Sequence, residues 1–489
     1  MKLENILLAL IVLSILSIGC GHHTTTVQPT LVNTEFTTSK SIIHHKIDSL
    51  LTNPIFEEAY VGIMVVDVTT GKTIYELNSN KLFQPASNLK LFTTATALDL
   101  LPKDFEFKTQ VLIDGEVNDV ALNGDLYLKG YGDPLLTAEY LDTLAEKVSQ
   151  QIKTLKGNLI GDISYFDQNY WGKGWMWDDE PEYFGASISP LSVNSNIIKV
   201  FITPGNNIGD AATIRFEPKT DLIQTSNFAV TSNTLLPSEL LVTRNWKERD
   251  NRVIITGSTP LQSKEENFSL SIWKPELFAL NLFKEKLELH GVTIQGQTLI
   301  DSVSQGKLLF QTNHLLDSVI ININKTSNNL AAENLLKAIG AELFGKPGSA
   351  DAGTKLVKQF ISHIGIDTTK IIIADGSGVS RYNLISPHNI TTLLRYVYND
   401  KNLFNRFYSS LPIGGTDGNL KNRFTNGAVR NNIHAKTGTH SDALALSGYL
   451  NATNGDMLAF SIIINNFTGN SKPYRDTIDK ICELLINVP

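Results

Sequence analysis

FQPASNLKLFTTATALDLL, residues 83–101, joins a helix start to a long apolar run. Pro85 suits a first helical turn, because the N–H it lacks is one that a helix start leaves unbonded anyway. The run that follows is apolar on nearly all sides, the pattern of a helix buried in a core. Into its start the sequence places Ser87-Asn88-Leu89-Lys90. Residues three apart share a helix face, so the Ser87 hydroxyl and the Lys90 amine can meet. A serine hydroxyl is a weak nucleophile until a base takes its proton. A lysine in apolar surroundings, near other cations, has reason to be neutral part of the time. Ser87 also gains from the free N–H groups of a helix start. The spacing recurs at Ser271-Ile272-Trp273-Lys274, but Pro275 follows and argues against a helix running on from that serine.

Two further motifs lie downstream. Ser327-Asn328-Asn329 opens TSNNLAAENLLKAI (326–339), where Leu330, Leu335, Leu336 and Ile339 fit an amphipathic helix. A serine there can relay a proton to a leaving amine, and an asparagine amide can hold a substrate carbonyl. Serine and asparagine are equally good helix caps, so that reading stays open. Ser192-Val193-Asn194 repeats the spacing upstream. Lys436-Thr437-Gly438-Thr439 opens a strand pair: a cation and two hydroxyls suit a carboxylate, and glycine lets a substrate backbone lie close. Alone, Lys-Thr-Gly reads as a turn, but this triplet occurs once in the chain. Buried helix, helix start and edge strand, in this order, are the contexts that serine penicillin-recognising enzymes require.

Outward from these motifs, Ala59–Val68 reads as a strand with a return over Thr73–Leu77. Residues 104–304 change to short strands, turns and glycines, as in GDLYLKGYGDP (124–134). From about 305 the texture changes back, and the C-terminal stretch reads as two long strands joined at Asn454-Gly455, a hairpin signal. One domain is therefore split by an insert of about two hundred residues, within the length expected of separate domains.

At the N-terminus, Lys2 precedes the apolar run Ile6–Ile18, which ends at Gly19-Cys20. That run is shorter than the roughly 20 residues a spanning helix needs and reads as a secretory signal. Cys20 after a small residue resembles a lipoprotein cleavage site, although Ser17 and Glu4 depart from the usual pattern. Ordinary cleavage and an uncleaved anchor are the alternatives. Residues 21–39, polar and Thr-rich, read as a tether. With Cys20 lipidated, Cys482 has no partner for an internal disulfide. The histidine pairs His22-His23 and His44-His45 lack metal-ligand spacing. A net charge of -7 argues against a nucleic-acid partner, which needs a basic stripe.

With these motifs the sequence resembles the D-alanyl-D-alanine carboxypeptidase/endopeptidase family, the class C low-molecular-mass penicillin-binding proteins. The long insert between the first and second motifs supports this, as do GDLYLKGYGDPLL (124–136), WDDEPEYFGASISPLSVNSN (177–196) and DGSGVSR (375–381). The resemblance implies an α+β fold: a penicillin-recognising, serine β-lactamase-like domain of the transpeptidase type, with an antiparallel sheet and a helical lobe. Residues 40–103 and 305–489 would form it, interrupted by a large β-rich insert over 104–304. It implies Ser87 as nucleophile, Lys90 as its base, and Ser327 and Lys436 moving the leaving-group proton. Asn329, Thr437, Gly438 and Thr439 would hold substrate, with the Ser87 and Thr439 N–H groups as oxyanion hole. Arg381, Asp178 and Tyr183 match positions that bind the free end of a stem peptide's diamino acid; a surface ion pair and a packed aromatic are the bland alternative. Asn328 stands where the family commonly has Asp. The implied activity is D-alanyl-D-alanine carboxypeptidase or endopeptidase action on peptidoglycan stem peptides, inhibited by β-lactams, without cofactor or metal, on a lipid-anchored envelope protein. A β-lactamase or esterase on the same scaffold, or a non-catalytic wall-binding protein, are the rival readings.

Overall fold

The computed structural model describes residues 34–488 except 234, 236 and 304. The stretch read as a signal, Cys20 and the stretch read as a tether as far as residue 33 lie outside the described residues. The helix Thr34–Leu51 begins inside the stretch read as tether. Its Ile43 and Ile47, one turn apart, are buried with Ile478 and Ile481 of the C-terminal helix Lys472–Leu485. That packing overrides a Thr-rich sequence with weak helix propensity.

The domain split by the insert is built on a five-stranded antiparallel sheet. Its order is Ile433–His440, Ala443–Asn451, Met457–Asn465, Tyr60–Asp67, Thr73–Leu77. Period-two alternation sends Ile63 and Val65 to one face and Met64 and Val66 to the other. The first face packs on the two terminal helices, the second on the helical lobe. The C-terminal stretch expected as two strands is three, because Ser441-Asp442 turns the chain between Ile433–His440 and Ala443–Asn451. Asn454-Gly455 does form the next turn, with Gly455 at φ 96°. Ile433–His440, which carries the Lys-Thr-Gly motif, is an edge strand.

The helical lobe centres on Lys90–Leu100, whose residues from Lys90 to Leu98 are all buried. Thr326 ends a separate helix, Leu316–Thr326, and Ser327 turns the chain at φ 62°. The next helix, Asn329–Phe344, is buried continuously from Leu330 to Ala341 rather than amphipathic. It crosses the lobe's interior, so its polar residues must find partners inside.

The insert has its own core. Its main sheet has seven strands around the hairpin Glu106–Asn118 and Ala121–Gly130, with two helices, Ala138–Ser149 and Pro275–Leu289, packed together. Smaller sheets fill the region between Ile197 and Ser271. The insert ends at Leu315, later than expected. Lys307–Leu315 pairs antiparallel with the first insert strand, Glu106 opposite Leu315, and so belongs to the insert's sheet.

One tight contact ties the sheet to the segment leading into Ser87. A Cβ added at Gly62 would sit 2.4 Å from the ring of Phe83, with Pro387 at 3.0 Å. Phe83 is buried and stacked on Tyr60, so it has no room to yield. Gly62→Ala is expected to destabilise the protein by about 1–3 kcal/mol. Urea unfolding of the variant measures this; an unchanged midpoint would mean that the strand gives way freely.

Candidate active site

The 3-10 turn Ala86–Leu89 precedes the Lys90–Leu100 helix and carries Ser87 on its first turn of backbone. Ala86 takes a left-handed φ of 46°, a conformation that costs a β-carbon residue energy and persists only when neighbours fix it. Several do. The Asn88 amide donates to Ser447 Oγ at 2.7 Å, and Ser447 Oγ to Ser461 Oγ at 2.9 Å, pinning the turn to two strands. The Asn465 side chain bonds both the N–H and the carbonyl of Gln84. Gly438 lets the edge strand close in: a Cβ there would stand 2.7 Å from the Pro85 carbonyl oxygen.

Lys90 is fully buried. Its Nζ lies 2.9 Å from Ser87 Oγ, 2.6 Å from Asn329 Oδ1 and 2.6 Å from the Ser377 carbonyl oxygen. Burial pushes its ammonium down to about 7, against the nearby Asp375 and Glu333 charges, which hold it up. The two carbonyl oxygens can only accept. A neutral amine therefore gives them its two N–H bonds and turns its lone pair to the Ser87 hydroxyl. This is the geometry of a base facing a nucleophile.

The loop presenting Ser377 rests on two acids. Glu333 Oε1, inside the buried helix, accepts from the N–H groups of Gly376 and Ser377 at 2.9 and 2.8 Å. Asp375 accepts from the N–H groups of Gly378 and Ser380 and from the Asn383 amide. Burial first, then the Asp375 charge, raises the Glu333 carboxyl well above its ordinary range. The sequence reading missed both acids. Glu333 was detectable as a charge amid an apolar helix; the Asp375 role depends on a fold no local pattern shows.

Lys436, also fully buried, lies 2.8 Å from Ser327 Oγ and 2.9 Å from the Thr437 carbonyl oxygen. Burial first, then the Lys90 charge, lowers it well below the ordinary lysine range. Ser87, Lys90, Ser327, Asn329 and Lys436 thus converge from three segments. Asn328 is the helix cap, accepting from the Ala331 N–H, while its amide donates to Ser195 Oγ of the insert at 3.1 Å. The cap reading therefore holds for Asn328, while Ser327 and Asn329 meet the lysines. The two repeated spacings do not join: Ser192 is fully buried and bonds the Ser189 carbonyl, and Ser271 lies in a strand and bonds the Glu180 carbonyl.

A cavity of about 850 Å³ opens beside these groups, lined by Ser327, Asn329, Thr439, Arg381, Tyr183 and Asp179 among others. The insert supplies part of its wall, and the Phe184 carbonyl accepts from the Asn329 amide at 2.9 Å. Thr437 is half-buried and Thr439 exposed. Arg381 lines the cavity while ion-paired to Asp442, and donates to Ser441 Oγ at 3.0 Å. Asp178, expected as its counterpart, is exposed and off the cavity wall; Asp179 takes that place. The 3-10 turn Trp177–Asp179 rotates neighbouring side chains to different sides, which a reading of spacing could not resolve.

Residues 43–488 match the sequence profile of the D-Ala-D-Ala carboxypeptidase 3 (S13) family. The chain is 34% identical over 444 residues to a D-alanyl-D-alanine carboxypeptidase of Actinomadura sp., covering 87% of this chain and 81% of that protein. It is 27% identical over 428 residues to D-alanyl-D-alanine carboxypeptidase DacB of Haemophilus influenzae, covering 86% and 88%. The crystal structure of penicillin binding protein 4 (dacB) from Haemophilus influenzae superposes with a TM-score of 0.81 at 25% identity, covering 90% of this chain and 99% of that one. Penicillin-recognising fold, insert and profile agree across nearly the whole described chain, and it belongs to the D-Ala-D-Ala carboxypeptidase 3 (S13) family.

Proposed function

We propose that this protein is an exported serine D-alanyl-D-alanine carboxypeptidase acting on peptidoglycan stem peptides, with endopeptidase action on cross-linked strands by the same chemistry. The observation carrying the proposal is the Lys90 amine, shared between two acceptor-only carbonyls and the Ser87 hydroxyl. Ser87 Oγ attacks the carbonyl of the penultimate D-alanine as Lys90 takes its proton. The oxyanion lies between the N–H groups of Ser87 and Thr439, a term worth roughly 3–4 kcal/mol per donor in other acyl hydrolases. Collapse breaks the peptide bond, and the departing amine takes a proton through Ser327, which Lys436 faces. Water then cleaves the Ser87 ester. One N–H of the Asn329 amide is engaged by Phe184, leaving the other to hold a substrate carbonyl. Thr437 and Thr439 hydroxyls take the terminal carboxylate, with Gly438 keeping the strand open to it. β-Lactams acylate the same serine and leave slowly. Arg381, with Asp178 or Asp179 and Tyr183, receives the free end of the stem's diamino acid. The apolar run Ile6–Ile18 and Cys20 support an envelope location with a lipid anchor on Cys20.

A fluorescent penicillin is expected to label the wild type covalently and leave Ser87→Ala unlabelled; label on any other serine overturns the assignment. Because Lys90 must be neutral to act, acylation should rise with pH through a midpoint near 7. At pH 6 it should run at about a tenth of its plateau. A rate flat from pH 5 to 9 removes Lys90 as the base.

Arg381→Ala should lower turnover of a natural stem peptide by roughly ten- to a hundred-fold, the loss of one charge-assisted contact. Acylation by a simple penicillin, which lacks the diamino end, should hold near the wild-type rate. The same ratio measured in Asp178→Ala and Asp179→Ala identifies which carboxylate takes part. Parallel loss of both activities would mean a structural role.

Cys20→Ala should move the protein from the membrane to the soluble exported fraction. Unchanged fractionation, with no added mass on Cys20, would remove the anchor.

A further inference from the structure

All five tryptophans of the chain gather at one place, off the wall of the cavity that the serines and Asn329 line. Trp171, Trp175, Trp177 and Trp246 line a cavity of about 400 Å³ between the insert's first and central parts. Trp273 stacks behind Trp171, rings 5.3 Å apart and 13° from parallel, and Trp177 lies 5.1 Å from Trp246. Trp177 is nevertheless 71% exposed. A large aromatic left in water beside others marks a surface that something covers.

The polar groups narrow what that occupant is. Lys247 and Arg249 line the cavity, Arg249 standing 5.8 Å from the Trp171 ring and 5.6 Å from the Trp273 ring. The one acid in the lining, Glu180, is ion-paired with the buried Arg244. The wall is therefore net cationic. Flat apolar faces with donors and cations at their edges suit a pyranose ring, whose C–H face stacks on indole while hydroxyl, amide and carboxylate groups meet the rim. A purely apolar ligand would leave the cations unused.

The cavity also adjoins the site described above. The turn Trp177–Asp179 places Trp177 in this cavity and Asp179 in the catalytic one. Trp175 Nε1 donates to Asp375 Oδ2 at 3.0 Å, the acid that holds the loop beneath Lys90. A stem peptide with its D-alanyl end at Ser87 has its other end to place, and that end carries the glycan.

We infer that the tryptophan cavity binds an amino-sugar ring of the glycan strand to which the stem peptide is attached, an inference that rests on the proposed activity. Full-length protein is titrated with the peptide-free disaccharide of N-acetylglucosamine and N-acetylmuramic acid, followed by calorimetry. The wild type should bind it, and Trp177→Ala, Trp246→Ala and Arg249→Ala should each bind it at least about ten-fold more weakly. In turnover, the KM for a disaccharide-linked pentapeptide should fall below that for the free pentapeptide in the wild type only. Free-pentapeptide turnover and penicillin labelling should be the same in all four proteins. No disaccharide binding by the wild type, or equal binding by the variants, overturns the inference, as does a protein partner that occupies the cavity while the disaccharide does not. Disaccharide binding without penicillin labelling would instead sink the serine-enzyme reading and leave the sugar site standing.

Discussion

Lys90 has no access to water, and a buried amine keeps its place only where oxygen atoms surround it. Its three partners come from its own turn, from the helix starting at Asn329 and from the loop at Ser377. Leaving such a group unpaired costs several kcal/mol, so the fold is penalised for misplacing any of the three. Each partner is in turn fixed from behind: Ser377 by Glu333, Asn329 by Phe184, and the Ser87 turn by Asn88 and Ser447. An amine of lowered basicity and a rigid site are two results of the same burial.

The insert is part of this arrangement. Phe184 fixes the Asn329 amide, Ser195 fixes Asn328, and Trp175 reaches Asp375. Asn194, Ser195 and Asn196 all have positive φ, between 49° and 56°, where the insert crosses to the helix start. Such backbone survives only where its surroundings demand it. The insert thus shapes one wall of the cavity and steadies the groups below it.

The three motifs were legible as candidates because each spacing matched an element that could present it, and the fold brings Ser87, Lys90, Ser327, Asn329 and Lys436 together. The sheet's strands were legible from alternation, as at Ile63 to Val66. What stayed hidden was set by contacts distant in sequence. Lys307–Leu315 reads as the resumption of a domain until its partner two hundred residues earlier is known. Asp179 differs from Asp178 only in which way a short turn points it. The helix after Ser327 looked amphipathic from its leucines, yet its Glu333, Asn334 and Lys337 are inside, bonded to loops and to the insert. Polar residues on a buried face carry no periodic signal that separates them from a wet one.

The antiparallel pairing of the insert's first and last strands has a consequence for how the chain finds its fold. Glu106 and Leu315 stand opposite each other, so the insert leaves and returns at one point. Closing a disordered loop of that length would cost about 5 kcal/mol of chain entropy. Once the insert has folded on its own core, that cost is already met, and Lys90–Leu100 meets Leu316–Thr326 as if the two were neighbours in sequence. The effective contact order of the split domain then falls to that of a continuous one.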